Sequence, residues 1–198
     1  MTDTFDPISL GRRALFRTGG MAAAGLGLAS LGAPLMAAPK HTMHKKSSAM
    51  EGDIGVLQGA LALEHEGIAA YRIAGGSGLL SKGVLDVALV FLGHHQGHRD
   101  SLAKLISEAG GKPVEPKSDA EYIKALNIAS LKSEGDVVKF AAGLEQGAAN
   151  AYVGQVAALQ DHQLAHLFAQ LGTDEAVHWA ILNNAAGGSI AKAPYLFG

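Results

Sequence analysis

The stretch LFAQLGTDEAVHWAIL, residues 167–182, poses a problem that the rest of the chain has to solve. Leu164, Phe168, Leu171, Ile181 and Leu182 recur at the spacing of one helix face. Glu175 and His178 fall inside that apolar stripe, three residues apart, so their side chains leave the helix side by side. A carboxylate among apolar side chains is costly to bury unless a partner neutralises it. A Glu and a His projecting together into a helical core are also how helix bundles present ligands to metal ions. The pair therefore predicts partners on other helices.

Three more long helices are written upstream. Residues 50–73 carry the stripe Leu57, Ala60, Leu61, Ile68 and Tyr71, interrupted by Glu64. Residues 79–109 carry Val84, Val87, Phe91, Leu102 and Leu105, with His98 in the stripe and His94 and His95 bordering it. Gly110, Gly111 and Pro113 stop that helix. Residues 135–159 carry Val138, Ala141, Ala148, Tyr152 and Val156, with Glu145 in a core position. Asp161 reads as the cap of the fourth helix, 162–186, which Gly187 and Gly188 end. Between the second and third lies the longest irregular stretch, 110–134. There Ser118 should cap a short helix through Leu126, and Ser133 should cap the third long one. A connection of that length means that the helices it joins are not hairpin neighbours.

The two halves repeat each other. LEHEGIAAY (63–71) matches LEQGAANAY (144–152), placing Glu64 over Glu145 and Tyr71 over Tyr152, both 81 residues apart. His95-x-x-His98 lies over Glu175-x-x-His178, with an offset of 80. Tyr71 and Tyr152, two turns beyond the glutamates, read as core packing, as does Trp179.

Four helices, a long crossover after the second, Glu on helices one and three, and an x-x-His pair on helices two and four resemble the ferritin-like superfamily. Within it, the chain is most similar to exported bacterial ferritin-like domain proteins. The resemblance implies an all-α four-helix bundle of two helical hairpins joined by a long crossover, spanning residues 50–188. It also implies a ligand set. Glu64 and Glu145 match terminal carboxylates, His98 and His178 terminal imidazoles, and Glu175 a bridging carboxylate. His95 stands where the family pattern has a second bridging Glu. The implied cofactor is two metal ions, iron first. Manganese is admitted on the carboxylates, and the extra imidazole also admits zinc or copper, because nitrogen donors suit the later divalent metals. A neutral imidazole offers one nitrogen to one metal, whereas a carboxylate can span two. Two activities follow from the resemblance: an oxidoreductase reacting with oxygen or peroxide, or metal handling. The alternative is a metal-free envelope stress or structural protein that keeps the bundle alone.

Composition narrows the field. A net charge of −2 gives no electrostatic footprint for nucleic acid. With Cys 0, thiolate metal sites, rubredoxin-type iron and disulfides are excluded. No Met follows Met50, so methionine ligation of a haem within the bundle is not expected. Residues 1–38 read as a twin-arginine signal peptide. Arg12 and Arg13 are followed by Ala14, Leu15, Phe16 and Arg17, then by a Gly/Ala/Leu run and small residues at Ala37 and Ala38. The run from Met21 to Met36 is short and glycine-rich for a stable membrane span. The expectation is passage through the twin-arginine export machinery, cleavage and a periplasmic location. Residues 39–49 read as a polar linker and 189–198 as a tail, too short for the fifth helix of a ferritin cage. The pattern leaves room for a homodimer.

Overall fold

The computed structural model describes residues 41–189, 191–192 and 194–198, the first nine of these by backbone alone. The export signal read over residues 1–38 lies outside that range. Among the described residues the secondary structure is helical, with no strand. Helix α1 spans His41–Gly75, α2 Lys82–Glu108, α3 Asp119–Ala125, α4 Glu134–Gln155 and α5 His162–Ala185. The four long helices form two hairpins, α1 with α2 and α4 with α5, and the hairpins meet through α1 and α4.

The helix starts follow their caps. Ser118 and Glu121 form a reciprocal capping box on α3. The Ser133 side chain accepts from Asp136 N–H, and Asp161 accepts from the N–H groups of Gln163 and Leu164. Gly110 ends α2 with φ +82°, the left-handed conformation that favours glycine. The crossover after Gly110 runs along α1. The Gln58 amide donates to Lys112 O at 2.7 Å and accepts from Val114 N at 2.8 Å, and Arg72 pairs with Asp119 through both terminal guanidinium nitrogens. The buried carboxylate of Asp53 on α1 accepts from Gln160 N–H and Asp161 N–H, each at 2.9 Å. One side chain thus ties the α4–α5 turn to the first helix, satisfying donors that would otherwise be unpaired.

Three expectations change. Backbone helix begins at His41, so residues 41–49 continue α1 and are not an irregular linker. Past Pro39 this segment has no proline or glycine to break a helix. Ile181 and Val87, placed on core stripes, are 46% and 39% exposed. The stripe on α5 instead passes through Leu182, which is buried. The third long helix stops at Gln155 and gives way to a 3₁₀ turn, Val156–Ala158. In the tail, Phe197 packs edge-on against Trp179 with ring centroids 5.3 Å apart, while Tyr195 is exposed. Among the described residues no helix is long and apolar enough to cross a membrane.

Apolar packing fills the bundle on either side of a polar middle. Leu57, Leu61, Leu102, Ile106, Tyr152 and Phe168 cluster at one end. Tyr71, Phe91, Val138, Ala141 and Leu182 cluster towards the other. Between them lie the side chains that broke the stripes.

Candidate metal centre

Glu64, His95, His98, Glu145, Glu175 and His178 are all buried, and all six meet in the middle of the bundle. Their donor atoms form two overlapping groups, with atoms in each group lying within 4.8 Å of one another. One group is Glu64, His95, His98 and Glu175; the other is His95, Glu145, Glu175 and His178. Each hairpin supplies a terminal Glu and a terminal His, while His95 and Glu175 belong to both groups. The repeat in the sequence thus becomes a two-fold arrangement of side chains.

His95 occupies the shared position in an unexpected way. Its ring stands across both groups, with Nδ1 2.8 Å from Glu64 Oε2 and Nε2 3.3 Å from Glu145 Oε1. Glu175 lies opposite, with Oε1 3.1 Å from His98 Nδ1 and Oε2 3.3 Å from His178 Nδ1. The sequence argument gave His95 a single half-site, yet its two nitrogens face different ones. Gly67 makes room for the ring. A Cβ at that position would lie 3.1 Å from His95 Cε1 and Nδ1, closer than such contacts normally run.

Outer partners orient both terminal imidazoles. His98 Nε2 lies 3.2 Å from Asp174 Oδ2, and His178 Nε2 lies 2.9 Å from His94 Nδ1. Such partners fix which ring nitrogen faces inward. Asp174 precedes Glu175 and His94 precedes His95, so each hairpin's motif supports the other hairpin's histidine. His94 itself is exposed and belongs to neither donor group. His178 is further held by Phe91, stacked at 4.1 Å.

The tyrosines do more than pack, contrary to the expectation. Tyr71 donates to Glu145 Oε1 and Tyr152 donates to Glu64 Oε1, again crossing between hairpins. Burial first, then the charge of the neighbouring Glu, raises both phenol pKa values, so both remain protonated donors. The signal was present in the sequence as a seven-residue spacing repeated in both halves, which puts Glu and Tyr on one face.

Charge is balanced within the cluster. Burial opposes a charged His95, but hydrogen bonds to Glu145 and Glu64 outweigh it and raise its pKa to about 11. The same contest, with Glu175 and Glu64 as partners, raises His98 to about 10. It also raises His178, whose partners are Glu145 and Glu175. Burial would raise Glu64 and Glu145, yet their histidine partners hold both below the usual carboxylate range. Glu175 moves upward, through burial first and its contact with Glu145, against the pull of His178 and His98. One donor is left over: Glu145 Oε2 is buried without a hydrogen bond, 3.5 Å from His178 Nδ1. An orphaned carboxylate oxygen amid three imidazoles and two further carboxylates fits a cation, and the mixed nitrogen and oxygen donors fit a transition metal.

The sequence matches the family described as Ferritin-like domain over residues 52–188. No curated protein matches it. Among solved structures, that of a conserved hypothetical protein from Mycobacterium tuberculosis is similar at 23% identity and a TM-score of 0.61, covering 76% of this chain and 99% of the other. A structure titled as ferritin-like, diiron-carboxylate proteins from Bacillus anthracis strain Ames is similar at 19% identity and a TM-score of 0.59, covering 70% of this chain and 97% of the other. At these identities the two structures speak to the fold. The family match spans well over half of the sequence, and the chain belongs to the ferritin-like domain family.

Proposed function

We propose that the cluster is a di-metal centre and that the chain is a periplasmic ferritin-like protein reactive towards oxygen or peroxide, or one that handles metal ions. The observation that carries this reading is the pair of donor groups joined through His95 and Glu175, each completed by one Glu and one His. Iron is the metal that the family resemblance implies first; manganese suits the carboxylates, and the extra imidazole also suits zinc or copper. A bound pair of redox-active ions would supply one-electron steps at a site shielded from bulk water.

The chain's own residues have definite roles in this reading. Glu64 and His98 would hold one ion, and Glu145 and His178 the other. Tyr71 and Tyr152 fix the glutamate oxygens that they donate to, while Asp174 and His94 fix the outer nitrogens of the histidines. An opening of about 220 Å³, lined by Gly67, Gly143, Gly147 and Ala148, reaches Glu64, His95 and Glu145. In this reading it is the route by which ions and small polar molecules reach the cluster.

Metal-free protein titrated anaerobically with ferrous iron or Mn²⁺ should bind two ions per chain, counted by elemental analysis after gel filtration. Glu175→Ala removes a donor common to both groups, so tight binding should be lost at both, not halved. A second reading has its own support: three imidazoles raised above their usual range already neutralise the carboxylates without any ion. An envelope stress or structural protein with that cluster would bind neither metal, and the titration separates the two readings.

Export is part of the proposal, on the strength of RRALFR at 12–17. Arg12→Lys with Arg13→Lys should leave the precursor in the cytoplasmic fraction. Undiminished mature protein in the periplasmic fraction would remove the twin-arginine route.

A further inference from the structure

The duplicated halves are not packed equally at their two ends. Carried across the repeat offset, Phe168 corresponds to Ala88, Leu57 to Val138, Leu61 to Ala142, and Ile106 to Ala186. At the Tyr152 end the larger member of each pair is present. Phe168 is 0% exposed there and meets the Tyr152 ring edge-on, with centroids 5.3 Å apart. At the Tyr71 end each position carries the smaller residue, and Phe91, the counterpart of Leu171, returns only part of the lost bulk.

A hollow of about 130 Å³, open to solvent on one side, occupies that end. Its wall comes from all four long helices and includes Ala70, Ala74, Ala88, Val138, Ala141 and Leu182. Every lining residue is apolar or glycine except for the hydroxyl of Tyr71, which is already committed to Glu145. Val87 and Ile181, half-exposed, stand at its rim. Water needs two to four polar partners to settle in a cavity, and none is free here. The hollow opens to solvent at that rim, and an apolar molecule of matching size displaces water that finds no partner in it. The missing group is itself a phenyl ring, that of the Phe168 counterpart.

We infer that this cavity is a binding site for a small apolar molecule of about the size of a benzene ring, seated against Tyr71. Tyr71 is the only side chain between such a ligand and Glu145 in hydrogen-bonded sequence, so the ligand would sit one residue from the Glu145–His178 group. Binding itself requires no metal. Only its relevance to the chemistry rests on the di-metal reading above.

The test uses fluorobenzene as probe and fluorine NMR of the full chain, metal-free and then loaded with Mn²⁺. Saturable binding at one site is expected without metal, with paramagnetic broadening of the bound probe once Mn²⁺ occupies the cluster. Ala88→Phe restores the ring that the other half carries, and should weaken binding at least tenfold while raising the melting temperature. Should that variant fail to fold, Ala185→Leu at the exposed edge of the wall serves the same purpose. Non-saturable binding, or affinity unchanged in the folded variants, overturns the site. A chain that sediments as a dimer closed over Val87 and Ile181 and excludes fluorobenzene overturns it as well. If fluorobenzene binds but no metal does, the cavity stands and the di-metal reading falls.

Discussion

The melting temperature of the metal-free protein falls as pH rises above about 6.5, whereas that of the metal-loaded protein holds or climbs. His95 and His98, raised to about 11 and about 10, and His178, also raised, drive the first trend. Below the unfolded-state pKa near 6.5 the histidines are protonated in both states, and their contribution to stability is fully present. Above it the unfolded chain loses protons that the folded cluster keeps, and the contribution is lost towards the folded-state values. For His95 alone the slope is about 1.4 kcal/mol per pH unit while only the folded state stays protonated. Glu175, also raised, loses its contribution from about pH 4.5 upwards, so its fall opens before that of the histidines. Glu64 and Glu145 are depressed, so what they contribute is present above about pH 4.5 and lost as the solution is acidified. Metal-free stability should therefore peak in the weakly acid range. Bound cations must displace the imidazole protons, so affinity rises with pH and stability rises with affinity. Melts from pH 5 to pH 9, with chelator and with Mn²⁺, should diverge on the alkaline side. Parallel profiles would show that no ion replaces those protons.

Much of this architecture could be read before folding. The caps Ser118, Ser133 and Asp161 each start a helix where their side chains predict one, because capping is decided within three residues. The polar breaks in the apolar stripes were legible for a similar reason. A buried Glu or His at a core position is anomalous on its own helix, whatever its partner turns out to be. What escaped depended on distance in the chain. Nothing in the local pattern marks Asp53, and only the return of Gln160 and Asp161 beside it explains its burial. Tyr71 and Tyr152 were placed on the correct face, but their hydroxyl partners lie 74 and 88 residues away. Ile181 and Val87 stand half-exposed at the rim of a hollow between the helices, which periodicity cannot express. The unequal ends of the bundle were written in pairs such as Phe168 and Ala88. Their meaning appears only when the repeat is laid on a structure that has a hollow at one end.

His95→Glu restores the pattern that the repeat and the family resemblance lead one to expect, and its effect should change sign with metal. Without metal, the substitution removes an imidazolium held between Glu64 and Glu145 and puts a fourth carboxylate among Glu64, Glu145 and Glu175. Losing one partner of a buried, charge-paired cluster costs roughly 3–5 kcal/mol, so the metal-free variant should melt well below the parent. With ferrous iron or Mn²⁺ the new carboxylate brings a charge and oxygen donors that hard cations prefer, and the variant should bind them more tightly than the parent does. Gly67 supplies the control. Gly67→Ala in the parent forces the His95 ring aside, since the added Cβ would sit 3.1 Å from it. In the His95→Glu background that crowding is relieved, and replacing a mid-helix glycine by alanine gains about 1 kcal/mol of helix propensity. The repeat agrees, because the counterpart of Gly67 is Ala148, in the half whose motif carries Glu175. A double-mutant cycle on melting and on metal affinity should therefore show strong coupling between positions 67 and 95. If His95→Glu is destabilised equally with and without metal, and Gly67→Ala costs the same in both backgrounds, His95 is a packed histidine beside a site that holds no ion.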